Sequence, residues 1–262
     1  MAVTLDQILA STRLDLPALS SRRRELEREA AERLAAPSLR AALRGDRVRL
    51  IAEVKRKSPS AGVIRDDLEP GERAALYARH GAAAISVLTN GPHFGGSVED
   101  LRTVASKATV PVLRKDFILD ELQIVEARAA GAAAVLLIVR ALAPGRLRVL
   151  LASARSAGLE ALVEVHTAGE LDQALEAGAD IVGVNSRDLD TFRIDATSAW
   201  ELLATVPGNL VAVAESGMHG REDVQHAAAA GADGVLIGTA LSAEPDPTRL
   251  LHELTRVPRR AR

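Results

Sequence analysis

His80-Gly81-Ala82-Ala83-Ala84-Ile85-Ser86-Val87, Ala130-Gly131-Ala132-Ala133-Ala134-Val135-Leu136-Leu137, Ala177-Gly178-Ala179-Asp180-Ile181-Val182-Gly183-Val184 and Ala230-Gly231-Ala232-Asp233-Gly234-Val235-Leu236-Ile237 are four variants of one phrase. Each closes an amphipathic helical pattern on a glycine suited to a left-handed C-cap, then opens a short apolar run. The four glycines stand 50, 47 and 53 residues apart. Four further strand candidates fall at 49–54, 112–115, 161–165 and 210–214, with helical patterns at 119–130, 144–157, 168–177 and 222–230 among them. Strands that alternate with helices pair in parallel. Eight such units in 262 residues predict a closed (β/α)8 TIM barrel, a fold that typically takes about 250 residues. The rival is a doubly wound open sheet, disfavoured because no Gly-x-Gly-x-x-Gly follows the first strand.

Around the predicted barrel (48–256) lie two smaller pieces. Residues 1–47 read as an N-terminal helical extension, too short for a domain of its own and expected to cap the C-terminal face of the barrel. Thr4-Leu5-Asp6-Gln7 is a capping box that opens a short helix. Residues 21–35 read as a charged helix with a solvated face. Residues 257–262 read as a frayed basic tail.

Composition narrows the function. With 47% hydrophobic but only 2% aromatic residues, the core must be Leu, Val, Ile and Ala. The absence of cysteine excludes a disulfide framework, a thiolate metal site and a thiol nucleophile, and fits the cytoplasm. A net charge of −2 gives no electrostatic case for nucleic acid. No signal peptide and no apolar run of membrane length are apparent, so no membrane partner is expected. The six histidines show no metal-binding spacing, and no metal is expected. His166 lies near the mouth and reads first as packing.

Lysine is nearly absent. Of 33 basic Lys and Arg residues only Lys55, Lys57, Lys107 and Lys115 are lysine. Arginine is locked in its charged form, whereas lysine exchanges a proton when its surroundings tune it. Lys55 and Lys115 each close a strand, and in a barrel the working residues sit at the C-terminal strand ends. Residues two apart on a strand share a face, which puts Glu53 beside Lys55. Glu164 interrupts the apolar fifth strand, Asn185-Ser186-Arg187 ends the sixth and Glu215-Ser216-Gly217 the seventh. Six ionisable groups, Glu53, Lys55, Lys115, Glu164, Arg187 and Glu215, thus converge on one mouth, where they shift one another's proton affinity. Ser216-Gly217 and Gly238-Thr239 follow strands seven and eight, where such barrels commonly hold phosphate. The cationic loop 56–62 is either a lid over an anion or an exposed loop.

Ile51-Ala52-Glu53-Val54-Lys55-Arg56-Lys57-Ser58-Pro59-Ser60, Phe94-Gly95-Gly96-Ser97, Pro111-Val112-Leu113-Arg114-Lys115-Asp116-Phe117, Leu162-Val163-Glu164-Val165-His166, Asn185-Ser186-Arg187-Asp188-Leu189 and Val213-Ala214-Glu215-Ser216-Gly217 together resemble the indole-3-glycerol phosphate synthase family over nearly the whole chain. The resemblance implies closure of a pyrrole ring on 1-(2-carboxyphenylamino)-1-deoxyribulose 5-phosphate, with loss of carbon dioxide and water. It implies Lys115 as general acid, Glu164 as acid or base, Glu53 in proton transfer, and Lys55 on the substrate's anionic groups. Asn185 and Glu215 would hold the ribulose hydroxyls and Arg187 an anionic group. Ser58, Ser216, Gly217, Gly238 and Thr239 would surround the phosphate, and Phe94, Phe117, Leu136, Leu189 and Leu236 the anthranilate ring. No cofactor is implied, and a monomer or weak homo-oligomer is expected. Burial of Lys115 near other cations is expected to lower its pKa. Asn90, Ser186 and Thr239 depart from the family's usual residues. A phosphoribosylanthranilate isomerase, which works through a cysteine, fits worse, and so does a degenerate non-catalytic paralogue.

Overall fold

Eight parallel strands close on themselves in the computed structural model, which describes residues 4–59, 61–260 and 262. The strands are β1 (Arg49–Val54), β2 (Ala84–Leu88), β3 (Val112–Lys115), β4 (Ala134–Ile138), β5 (Glu160–Val165), β6 (Ile181–Asn185), β7 (Val211–Glu215) and β8 (Gly234–Ile237). Each pairs with its sequence neighbours, and β1 pairs with β8 to shut the barrel. The closing register sets Ile51 opposite Leu236, and Glu53 lies opposite Ser86 on β2. The predicted barrel is therefore present, with strand ends within one residue of expectation. The reason is visible at the repeated phrase: Gly81, Gly131, Gly178 and Gly231 all have positive φ, between 82° and 96°. That conformation is nearly free for glycine and costly for other residues.

Inside the barrel, Ile51, Ala84, Leu113, Ala134, Leu162, Ile181, Val211 and Val213 form one buried cluster. A larger cluster fills the space between strands and helices, and includes Leu50, Ala52, Ile85, Val135, Val163, Ala212 and Val235. Alternate residues of each strand therefore face two apolar layers, and the polar exceptions on the inner face collect at the strands' C-terminal ends.

The N-terminal extension does more than cap the mouth. Thr4 does form the capping box of α1 (Leu5–Ser21), but that helix is long, and the single charged helix expected at 21–35 is α2 (Arg23–Ala31), separated from α1 by Arg22. Leu5, Ile8 and Leu9 of α1 pack with Phe117 and Ile138 at the mouth. On α2, Leu26 packs with Leu122 and Ala129 of the helix Glu121–Ala129, outside the barrel. The short α3 (Leu39–Ala42) lies at the opposite end, where Leu39 and Leu43 join the bottom of the inner cluster and Arg40 N–H donates to Glu160 at the start of β5 (2.8 Å). Only α1 sits over the C-terminal face.

The tail is not frayed. Val257 is buried, its carbonyl accepts from Val48 N–H (2.9 Å), and Arg259 and Arg262 both pair with buried Asp233. Its basic residues answer a buried carboxylate that composition alone does not reveal. Ala261 lies outside the described residues, as does Ser60 of the loop after β1.

Candidate active site

A cavity of about 370 Å³ opens at the C-terminal end of the barrel, within the size range of small-molecule sites. All seventeen candidate residues line it: Glu53, Lys55, Ser58, Phe94, Lys115, Phe117, Leu136, Glu164, Asn185, Arg187, Leu189, Glu215, Ser216, Gly217, Leu236, Gly238 and Thr239. The structure also places Leu88, Ile138, Ile194 and Met218 in the wall. Ile138 was legible, being two residues beyond Leu136 on the same strand face. Ile194 and Met218 reach the cavity through loop paths with no periodicity to read.

The charged groups are interleaved. Lys55 Nζ lies 2.9 Å from Glu53 Oε1, and the Ser86 hydroxyl donates to Glu53 Oε2 at 3.4 Å. Lys115 Nζ stands between two carboxylates, 3.6 Å from Glu164 Oε2 and 3.7 Å from Glu215 Oε2. Glu164 Oε1 accepts from Asn185 Nδ2 (3.0 Å), and Asn185 Oδ1 accepts from Arg187 N–H (3.0 Å). The Arg187 guanidinium is held by the Phe192 carbonyl at 3.0 Å.

These neighbours set the proton affinities. Burial pulls the Lys115 ammonium down, but Glu164, Glu215 and Glu53 outweigh it and hold its pKa above the ordinary lysine value. The expected lowering is thus overturned: the nearest charges from the other strands are carboxylates, not cations. Burial likewise pushes Glu53 up, yet Lys55, Lys115 and Ser86 prevail and keep it below the ordinary carboxylate value. Glu215 goes the other way. Burial first and the charge of Glu164 second push it up to about 8, against the pull of Lys115. The cluster therefore holds one carboxyl that keeps its proton near neutrality beside another that does not, a division suited to acid–base work.

Two glycines make room for this cluster. A Cβ on Gly183 would lie 2.0 Å from Glu215 Oε1, and one on Gly238 would lie 2.3 Å from Glu53 Oε1. Gly238, read from sequence as part of a phosphate cradle, also gives Glu53 its space. It precedes the short helix Thr239–Ala243, whose first turn has no side-chain cap. Buried Ser242 on that helix accepts from Lys55 N–H and donates to the Glu53 carbonyl, each at 3.2 Å, which ties the end of β1 to the helix. Ser216 and Gly217 both have positive φ, 67° and 73°. For serine this conformation is uncommon, and outliers of this kind gather at ligand clamps.

On the other side the wall is apolar. Phe94 and Phe117 approach with ring centroids 6.2 Å apart, joined by Leu136, Ile138, Leu189 and Leu236. The loop after β1 forms a small hairpin of Lys57–Ser58 against Gly62–Val63. Its cations turn away to anchor it: Arg56 grips Asp100 with two bonds of 2.6 and 3.1 Å, and Lys57 donates to the Pro92 carbonyl (3.0 Å). Ser58 is buried and faces the cavity. Of the two readings of this loop, its position beside the cavity fits the lid, with Ser58 and Lys55 in the cavity wall in place of Arg56 and Lys57. Among the described residues no cluster of three or more His, Asp or Glu could hold a metal ion, and no helix is long and apolar enough to cross a membrane.

Comparison with known proteins agrees with this architecture. The family model for indole-3-glycerol phosphate synthase matches residues 5–254. Indole-3-glycerol phosphate synthase 2 of Streptomyces coelicolor is 49% identical over 246 residues, covering 92% of this chain and 95% of that protein. The Leptospira interrogans indole-3-glycerol phosphate synthase is 51% identical over 209 residues (80% and 82%), and that of Mycolicibacterium gilvum 46% identical over 255 (97% and 94%). Among solved structures, a thiamine phosphate pyrophosphorylase from Pyrococcus furiosus superposes with a TM-score of 0.58 at 18% identity, covering 80% of this chain and 94% of that one. That likeness concerns the fold alone.

Proposed function

This chain belongs to the indole-3-glycerol phosphate synthase family, carboxy-lyases of tryptophan biosynthesis, and we propose how its own residues close the indole ring. The single observation that carries the reading is the position of Lys115 Nζ between Glu164 and Glu215, with the aromatic wall on one side and the phosphate loops on the other.

The substrate is a 2-carboxyphenylamino deoxyribulose phosphate. Its flat ring suits the Phe94, Phe117, Leu136, Leu189 and Leu236 wall, and its phosphate suits Ser58, Ser216, Gly217, Gly238 and Thr239. Lys55 and Arg187 answer its negative charges. Asn185 and Glu215 reach the ribulose hydroxyls; Glu215, protonated below about pH 8, donates as well as accepts.

In the first step the ring carbon bearing the carboxylate attacks the ketose carbonyl. The C–C bond forms, and Lys115 delivers its proton to the carbonyl oxygen. Carbon dioxide then leaves, its electrons passing into the iminium created by the attack, so no cofactor is called for. In the last step the new hydroxyl leaves as water with a proton from Glu164, and the C1 methylene gives a proton to Glu53. Glu53 is suited to accept because it is buried and held ionised by Lys55 and Lys115. The raised pKa of Lys115 makes it a charge anchor as well as an acid: it transfers its proton only as the carbonyl oxygen becomes strongly basic in the transition state.

The same reading makes this a cytoplasmic enzyme that works as a monomer or weak homo-oligomer. Incubating the purified protein with the carboxyphenylamino sugar phosphate and following indole absorbance tests the reaction. Folded protein that yields no indole product would refute it.

A further inference from the structure

The proton that Glu164 gives to the leaving hydroxyl needs a source within the filled cavity. The ketose oxygen needs two protons to leave as water, and the methylene returns only one. With the substrate carboxylate ionised, each turnover therefore consumes one proton. It must be on hand while the substrate fills the cavity.

Directly behind Glu164, away from the cavity, sits His166. Its side chain is 5% exposed, with Nε2 3.4 Å from Glu164 Oε1 and Nδ1 3.2 Å from Glu170 Oε2. Glu170, on the helix Ala168–Ala177, also accepts from the His166 backbone N–H (2.7 Å) and from Arg140 Nε (3.2 Å). Burial pushes Glu170 up, but the bonds from His166 and the charge of Arg140 hold it below the ordinary carboxylate value. Arg140, in the turn after β4, is fixed in turn by Asp188 at 3.2 Å. The charged groups facing the ring are thus Glu164 on its own strand and Glu170 from the following helix, with Arg140 behind Glu170 and Lys115 beyond Glu164.

An ionised Glu170 keeps a proton on Nδ1. Nε2 is buried and makes no hydrogen bond in the structure. With no proton between them, the Nε2 lone pair and the Glu164 carboxylate would face each other across 3.4 Å. With two, an N–H would meet an O–H. One shared proton is the arrangement this geometry satisfies.

We propose that His166 is a one-proton reserve for Glu164, anchored from behind by Glu170. This rests on the acid role given to Glu164 above. Before dehydration, the Nε2–H bond of the imidazolium breaks and an O–H bond forms on Glu164. Glu164 passes that proton to the departing hydroxyl, and the C–O bond breaks to release water. The ring is left neutral, with Nδ1–H still donating to Glu170, and is refilled from solvent when product leaves and the mouth opens. His166 never touches substrate. It is a positioning residue in the proton path.

The test is the timing of proton uptake in a single turnover. Wild-type enzyme in excess is mixed with substrate at pH 6, where Glu215 is already protonated, in weak buffer with an indicator dye. Indole formation should precede uptake of the proton from solution, which should follow product release. H166N keeps a donor for Glu170 but removes the store, so uptake should coincide with indole formation and kcat should fall roughly 10- to 100-fold with KM little changed. H166Q offers a donor to Glu164 that does not titrate, and should not restore the lag. Uptake that tracks indole formation in the wild type overturns the reserve, as does H166N or H166Q with wild-type kcat and pH profile. Wild-type enzyme that forms indole on schedule in such a case leaves the ring-closure reading standing; failure to form indole at all removes both.

Discussion

Lys115 has carboxylates for neighbours on two sides, and this decides what its replacement does. Arginine would keep the ion pair to Glu164 and the contact with Glu215 but cannot give up its proton. K115R should therefore melt within a few degrees of the wild type while turnover falls by roughly 10³-fold, read by indole absorbance beside a thermal scan. Glu215 makes a prediction about pH. Its folded pKa of about 8 lies above its ordinary 4.5, so the native state binds its proton more tightly than the unfolded chain does. The stability this gives is full below about pH 4.5 and is lost as pH rises towards 8. E215Q, which cannot ionise, should melt higher than wild type at pH 9, by roughly 5 °C, with the gain vanishing near pH 4. That six charged groups would meet at the mouth was legible from strand ends and alternation, whereas the apolar wall and Ser58 came from the family resemblance. The sign of the Lys115 shift was not, because chain spacing does not say which side chains of other strands stand nearest.

Elements carry constraints that single residues do not show. Gly183 lies mid-strand in β6, where alternation directs it inward, and its missing side chain is the space that Glu215 of β7 fills. G183A should displace that carboxylate and lower kcat/KM roughly 100-fold, the scale of an ångström's misplacement. G169A, at a position with nothing within 4 Å, should leave kcat/KM unchanged and serves as the control. The sequence marks Gly183 only as a variation within the repeated phrase, and its purpose depends on a strand register that no periodicity supplies. By contrast, the glycines that end helices were readable, because each stands at a boundary between two hydrophobic periods. The length of α1, expected to be short, was missed for the opposite reason: its 17 residues run on through Pro17, which reads in sequence as a stop.

At the scale of the whole molecule, the barrel is fastened at its base by basic residues from the far end of the sequence. Asp233 is buried and receives Arg259, Arg262 and the Ala212 N–H. Removing both arginine partners would leave a buried carboxylate short of compensation, which costs about 3 kcal/mol. The R259M/R262M double variant should melt roughly 6–12 °C lower, with kcat at 25 °C unchanged because Asp233 lies at the other end of the strands from the cavity. The extension is the second fastening. Its first helix roofs the aromatic wall, its second lies along the barrel's flank, and its third plugs the base. The exposed stretch around Leu34 joins these parts. A single proteolytic nick there would cut a strap. The ring of strands would keep its own ladder of hydrogen bonds, but the roof over the aromatic wall would lose its covalent link to the plug below. Catalytic grip and barrel integrity are therefore separable by one peptide bond.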